Sequence, residues 1–280
     1  MRGLVAAIAV TMALATPAWS QATPPRGEIK GTATSHTPES AANVIAQASV
    51  ALPAQATGGA AYFGKWKDMP QPAASAGKVP VVVFLHGSSG LGLAAIAEWQ
   101  KWLAAEGIAS VAPDSFALPD RLTYSSPIGK DVYERIHALR ASEITLALKA
   151  VRAAQWADEK RLVLAGTSEG ATAVARYGGA EFAARMIFSW SCEDNYFVEA
   201  HGTQLVADQP VLNMISSVDP FFSPANAWLG NPAAKGNCAA ALAGSKRAVI
   251  VLIPGAPHTL ITLPYAKAMT QAFLQTSLAR

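Results

Sequence analysis

The 280-residue sequence predicts an α/β chain: a central, mostly parallel sheet with helices on both faces. Three observations carry this. Apolar runs of strand length alternate with segments at helical spacing from Val79 to the C-terminus. The run Val81-Val82-Val83-Phe84-Leu85 is continuous rather than alternating, as expected of a strand buried on both faces. The runs also end in loops rich in Gly, Ser, Asp and His, the residue types that carry chemistry at the carboxyl edge of such sheets.

In order, residues 1–22 read as a secretory signal peptide: Arg2 as the basic start, an uncharged apolar stretch over 4–14, then small residues around Ala18 to Ala22. The apolar stretch is short for a membrane anchor, the competing reading. Residues 23–42, rich in Pro, Thr, Gly and Ala, are expected as a flexible lead-in. Residues 43–67 hold short apolar pieces suited to edge strands, and 68–78 form a connection, so the main α/β domain is expected over 79–280.

Residues 91–106 place Leu93, Ile96, Trp99 and Leu103 at helical spacing, with Gly107 as a stop. A strand over 108–112 and a long amphipathic helix over 131–156 follow, the latter through Val132, Ile136, Leu139, Ile144, Leu148 and Val151. Further strands are expected at 161–165, 186–190, 211–215 and 248–253, and a closing helix at 263–278.

The strand at 161–165 breaks into Gly166-Thr167-Ser168-Glu169-Gly170 and then a small-residue helix. A G-x-S-x-G turn between strand and helix pushes the serine hydroxyl out of the sheet, and its glycines clear the crowded turn. Ser168 is therefore the candidate nucleophile, as against a chance glycine-rich turn. A serine needs a base and the base an orienting acid. His258 follows the last strand and Asp219 the strand before it, giving the chain order Ser, Asp, His. Asp194 is a second candidate acid, while Asp114 reads as structural. Of the other histidines, His36 falls in the lead-in, His86 reads as a hydrogen-bonder in its turn, His137 is mid-helix and His201 lies outside the strand ends. His86-Gly87-Ser88-Ser89-Gly90 follows the Val81 strand, so the oxyanion hole is assigned to the backbone N–H groups of Ser88 (or, one residue on, Ser89) and Glu169.

These motifs resemble those of the α/β-hydrolases, and more narrowly exported proteins related to dienelactone hydrolase, over 79–280. The resemblance rests on the His86-Gly87 turn, Ala112-Pro113-Asp114-Ser115-Phe116, the elbow, and the Asp219 and His258 loops. It implies hydrolysis of esters or lactones without a metal. Dienelactone hydrolases proper use a cysteine nucleophile, so Ser168 shifts the implied activity to a general serine esterase.

The Glu169 side chain reads as structural at a helix N-terminus, with a role toward the substrate as the alternative. Trp190, Tyr196, Phe197, Phe221, Phe222 and Trp228 could line a pocket or serve as packing. Cys192 and Cys238 are expected to form a disulfide if the chain is exported, to the periplasm or outside the cell; two free thiols are the alternative. A net charge of +3 without basic blocks argues against nucleic acid, and no metal-ligand spacing or phosphate loop points to a cofactor. The expected partner is a small ester, with no stable membrane insertion once the signal is cleaved. A peptidase or amidase with the same triad, and a non-catalytic binding protein on this scaffold, are the competing readings.

Overall fold

The computed structural model describes residues 25–206 and 208–279. The expected signal peptide lies outside the described residues. Among the described residues, ten strands and six α-helices follow one another. They are β1 (Ile29–Lys30), α1 (Pro38–Ala46), β2 (Ser49–Leu52), α2 (Ala54–Thr57), β3 (Tyr62–Lys65), β4 (Val79–Leu85), α3 (Ala94–Ala105) and β5 (Ala109–Ala112). Then come β6 (Thr123–Tyr124), α4 (Lys130–Ala153), β7 (Ala157–Thr167), α5 (Glu169–Arg176), β8 (Ala184–Phe188), β9 (Val211–Ser216), β10 (Ala248–Ile253) and α6 (Pro264–Leu278).

Eight strands form one sheet in the order β10-β9-β8-β7-β4-β5-β2-β3. The pairs from β10 to β5 are all parallel, and β2 joins antiparallel to both β5 and β3. Strand β4 shows why the apolar run was continuous. Val81, Val83 and Leu85 enter a core under α4 and α5, while Val82 and Phe84 enter a second core under α3 and α6. Trp99 of α3 packs in that second core with its ring tilted against Phe84 and edge-on to Phe188.

Two differences from the sequence expectation stand out. Over its described residues, 25–42, the segment expected as a flexible lead-in carries defined pairing and a helix start. β1 pairs with β6, Thr32 Oγ1 donates to Asp120 Oδ2 at 2.5 Å, and Thr37 caps α1 with a reciprocal Ser40 box. Two-residue strands carry no periodicity, so only tertiary pairing reveals them. The long helix stops at Ala153 rather than 156, and the next strand starts at Ala157. Trp156 turns inward between them, buried against Trp66. Of the edge strands expected between 43 and 67, β3 forms the sheet edge, while β2 lies inside it, paired with both β5 and β3.

Candidate active site

Strand β7 runs into α5 through Ser168, whose backbone sits at φ 54°, ψ −120°. That conformation is costly for a non-glycine residue, on the order of 1–3 kcal/mol, and such strain gathers at functional turns. It persists because the surroundings over-determine it. The Ser168 N–H donates to Phe188 O at 3.0 Å, and Ser168 O accepts from Ala171 and Thr172. The flanking glycines allow the close approach: a Cβ on Gly170 would lie 2.3 Å from Leu85 O, and one on Gly166 2.7 Å from the Gly170 backbone. Helix α5 is thereby pressed onto the end of β4, beside the His86-Gly87 turn. A Cβ on Gly87 would lie only 3.2 Å from Ser168 Cβ.

The candidate acid and base, Asp219 and His258, come from the loops after β9 and β10. His258 Nδ1 lies 2.7 Å from Asp219 Oδ2. The other oxygen, Oδ1, accepts from the N–H groups of Phe221 at 2.9 Å and Phe222 at 3.0 Å. Asp219 is fully buried. With Nδ1 committed to the carboxylate, Nε2 of the ring is left for the cavity. The His258 loop is tied to neighbouring strand ends: Ser216 Oγ donates to Ala256 O at 2.6 Å, and Ser189 Oγ donates to His258 O.

Ser168, His258, Gly87, Ser88 and Ser89 line one small cavity of about 100 Å³. The N–H of Glu169 lies at the first turn of α5, where backbone donors have no helical partner.

The His86 ring shapes the turn. Its Nε2 accepts from Ser115 N–H at 3.2 Å, so the proton sits on Nδ1, which donates to Gly87 O at 2.7 Å. Burial, with Arg140 nearby, holds the His86 pKa well below the usual imidazole range, keeping the ring neutral. A trans peptide points its N–H opposite its C=O. Holding the Gly87 carbonyl toward His86 therefore aims the Ser88 N–H away from the ring; Ser88 and Ser89 both line the cavity.

Asp194 is exposed and accepts from the His201 backbone, away from His258. Asp114 caps a turn through Phe116 N. His137 is buried, with Nε2 3.0 Å from Phe197 O, and His201 bonds Thr203. The aromatic group divides. Tyr196, Phe197, Phe221 and Phe222 line the cavity with Tyr124. Trp190 is buried behind them against Phe222, and Trp228 packs on Tyr196. Cys192 and Cys238 form a disulfide that joins the β8–β9 loop, bearing Tyr196 and Phe197, to the β9–β10 loop, bearing Asp219.

Sequence reasoning missed a buried charge cluster behind the elbow. Glu169 is fully buried, its Oε1 2.6 Å from Arg121 and 3.4 Å from Arg140. Its side chain therefore faces the interior rather than substrate. Arg140 also pairs with Glu143, and His36 reaches the same Glu143 at 3.4 Å. The signal was present in α4. Arg140 lies four residues from both Ile136 and Ile144, on the apolar stripe rather than the wet face.

No family model matches the sequence, and no curated protein matches it. Solved structures do. A Klebsiella pneumoniae protein assigned as a dienelactone hydrolase aligns with TM-score 0.53 and 19% identity, over 75% of this chain and 90% of that one. A dienelactone hydrolase-like promiscuous phosphotriesterase from metagenomic libraries aligns with TM-score 0.52 and 17% identity, over 74% and 89%. A Thermus thermophilus protein aligns with TM-score 0.51 and 19% identity, over 73% and 91%. At such identities the likeness is one of fold. The chain has the α/β-hydrolase fold, in a form resembling that of dienelactone hydrolase-like proteins.

Proposed function

We propose that this protein is a serine hydrolase that cleaves small carboxylic esters through an acyl-enzyme. The observation that carries the reading is the strained Ser168 elbow, facing the same cavity as a His258 ring that is bonded to buried Asp219. In this reading His258 takes the Ser168 proton as the hydroxyl attacks the acyl carbon. The N–H groups of Ser88 and Glu169 hold the oxyanion, each contributing about 3 kcal/mol in the transition state. Asp219 keeps the His258 tautomer and stabilises the imidazolium. His258 then returns its proton to the leaving alcohol and activates the water that releases the acid.

The cavity volume of about 100 Å³ and its aromatic walls favour a short acyl group. The disulfide supports an exported protein, periplasmic or secreted, since such bonds persist in oxidising compartments. Turnover of p-nitrophenyl acetate, butyrate and octanoate tests the reading. Hydrolysis that favours the short esters and vanishes in Ser168→Ala supports it. A folded protein that hydrolyses none of them overturns it.

A further inference from the structure

The two oxyanion donors assigned above belong to different segments, the turn after β4 and the start of α5. A hole of this kind works only if its donors are held to within about 0.5 Å. On one side the backbone of Gly170 is pressed against Leu85 and His86. On the other side lies the buried charge cluster, and its connections run to both segments.

Glu169 carries one donor on its backbone while its carboxylate points inward to Arg121 and Arg140. Arg140 Nη2 donates to His86 O at 2.8 Å, at the base of the oxyanion turn. Arg121 Nε donates to Ser115 Oγ at 2.7 Å and its Nη1 to Leu122 O at 2.9 Å. Ser115 N–H in turn holds His86 Nε2. The elbow helix and the oxyanion turn are thus fastened to the same two guanidiniums.

We propose that the Arg121–Glu169–Arg140 bridge is the positioning element that keeps the Glu169 and Ser88 donors in register. The inference rests on the esterase reading for its effect on rate. The mechanical coupling of the two segments stands apart from that reading. Charge balance supports it: Arg121 and Arg140 meet Glu143 and Glu169, all essentially buried. Buried ion pairs of this sort seldom stabilise a fold more than apolar residues of the same volume would. What they supply is direction, because a guanidinium fork fixes both the angle and the distance of what it holds. Arg121, Arg140 and Glu169 are positioning residues through their side chains; none of these side chains lines the cavity.

Two variants test this. Glu169→Gln keeps the backbone donor and removes the charge anchor. Arg140→Lys keeps the charge and removes the fork. Each is compared with wild type on an ester and on its thionoester, whose sulfur accepts hydrogen bonds poorly. Hydrogen exchange is followed in the segments 86–90 and 168–176. Expected are a kcat loss of about 10- to 100-fold with KM nearly unchanged, and a lowered preference for the oxygen ester. Exchange should rise in both segments while β9 and β10 stay protected. Unchanged kcat and ester preference in folded variants would overturn the proposal, as would exchange that rises in one segment alone. If wild type hydrolyses neither substrate, the esterase reading fails, and the exchange pattern alone decides the coupling.

Discussion

The Asp219 carboxylate is divided between two jobs: Oδ2 takes His258 Nδ1 at 2.7 Å, and Oδ1 takes the N–H groups of Phe221 and Phe222. The backbone bonds decide which way an amide would sit in its place. In Asp219→Asn the amide oxygen would stay with the two N–H groups, so the NH₂ would face His258. The ring would then present a lone pair on Nδ1 and carry its proton on Nε2, where it cannot accept from Ser168. We expect kcat to fall by ~10³- to 10⁴-fold with little change in KM or melting temperature. Steady-state kinetics on a short ester check this.

Ser168 stores strain that glycine would relieve. Ser168→Gly should raise stability by about 1 kcal/mol while abolishing turnover, whereas Ser168→Ala should lose activity without that gain. Gly170→Ala should do the opposite of Ser168→Gly, because its new Cβ would meet Leu85 O at 2.3 Å. A loss of at least ~2 kcal/mol is expected. Urea unfolding of the three variants distinguishes these outcomes.

Reducing or removing the Cys192–Cys238 bridge should cost about 4 kcal/mol by chain entropy, given a sequence separation of 46 residues. Activity should fall at temperatures below the unfolding midpoint, since the bridged loops carry Asp219 and much of the aromatic wall. Parallel melting and activity curves of Cys192→Ser/Cys238→Ser test both parts.

Two buried histidines predict a dependence on pH. Burial lowers the pKa of both His86 and His137 below the usual 6.5. In the unfolded chain they take up protons near pH 6.5, and in the folded chain only at lower pH. The unfolded state therefore binds more protons in that interval, and stability falls as pH drops below about 6.5. Melting temperatures from pH 7.5 to 5 should decline, and the decline should be shallower in His137→Gln.

Much of this architecture was legible from local pattern. The β4 and β10 runs, the Gly107 stop and the Gly166–Gly170 elbow depend on near neighbours, and the order of Ser168, Asp219 and His258 follows from which strands they end. The rest depends on contacts distant in sequence. Nothing near Ile29 announces that it pairs with Tyr124. His36 gains its partner, Glu143, only through the fold. Arg140 resembled any helix-surface cation until its phase with Ile136 and Ile144 is weighed. The walls of the cavity also had to await the structure, because Tyr196 and Trp228 differ in exposure to it through packing alone.

The most direct test of the central claim is covalent. The purified protein should be treated with a fluorophosphonate probe and its peptides weighed, alongside Ser168→Ala and His258→Ala. The account predicts one label per chain, on Ser168, absent in Ser168→Ala and greatly slowed in His258→Ala. A folded protein that stays unlabelled, or one labelled at another residue, would contradict it.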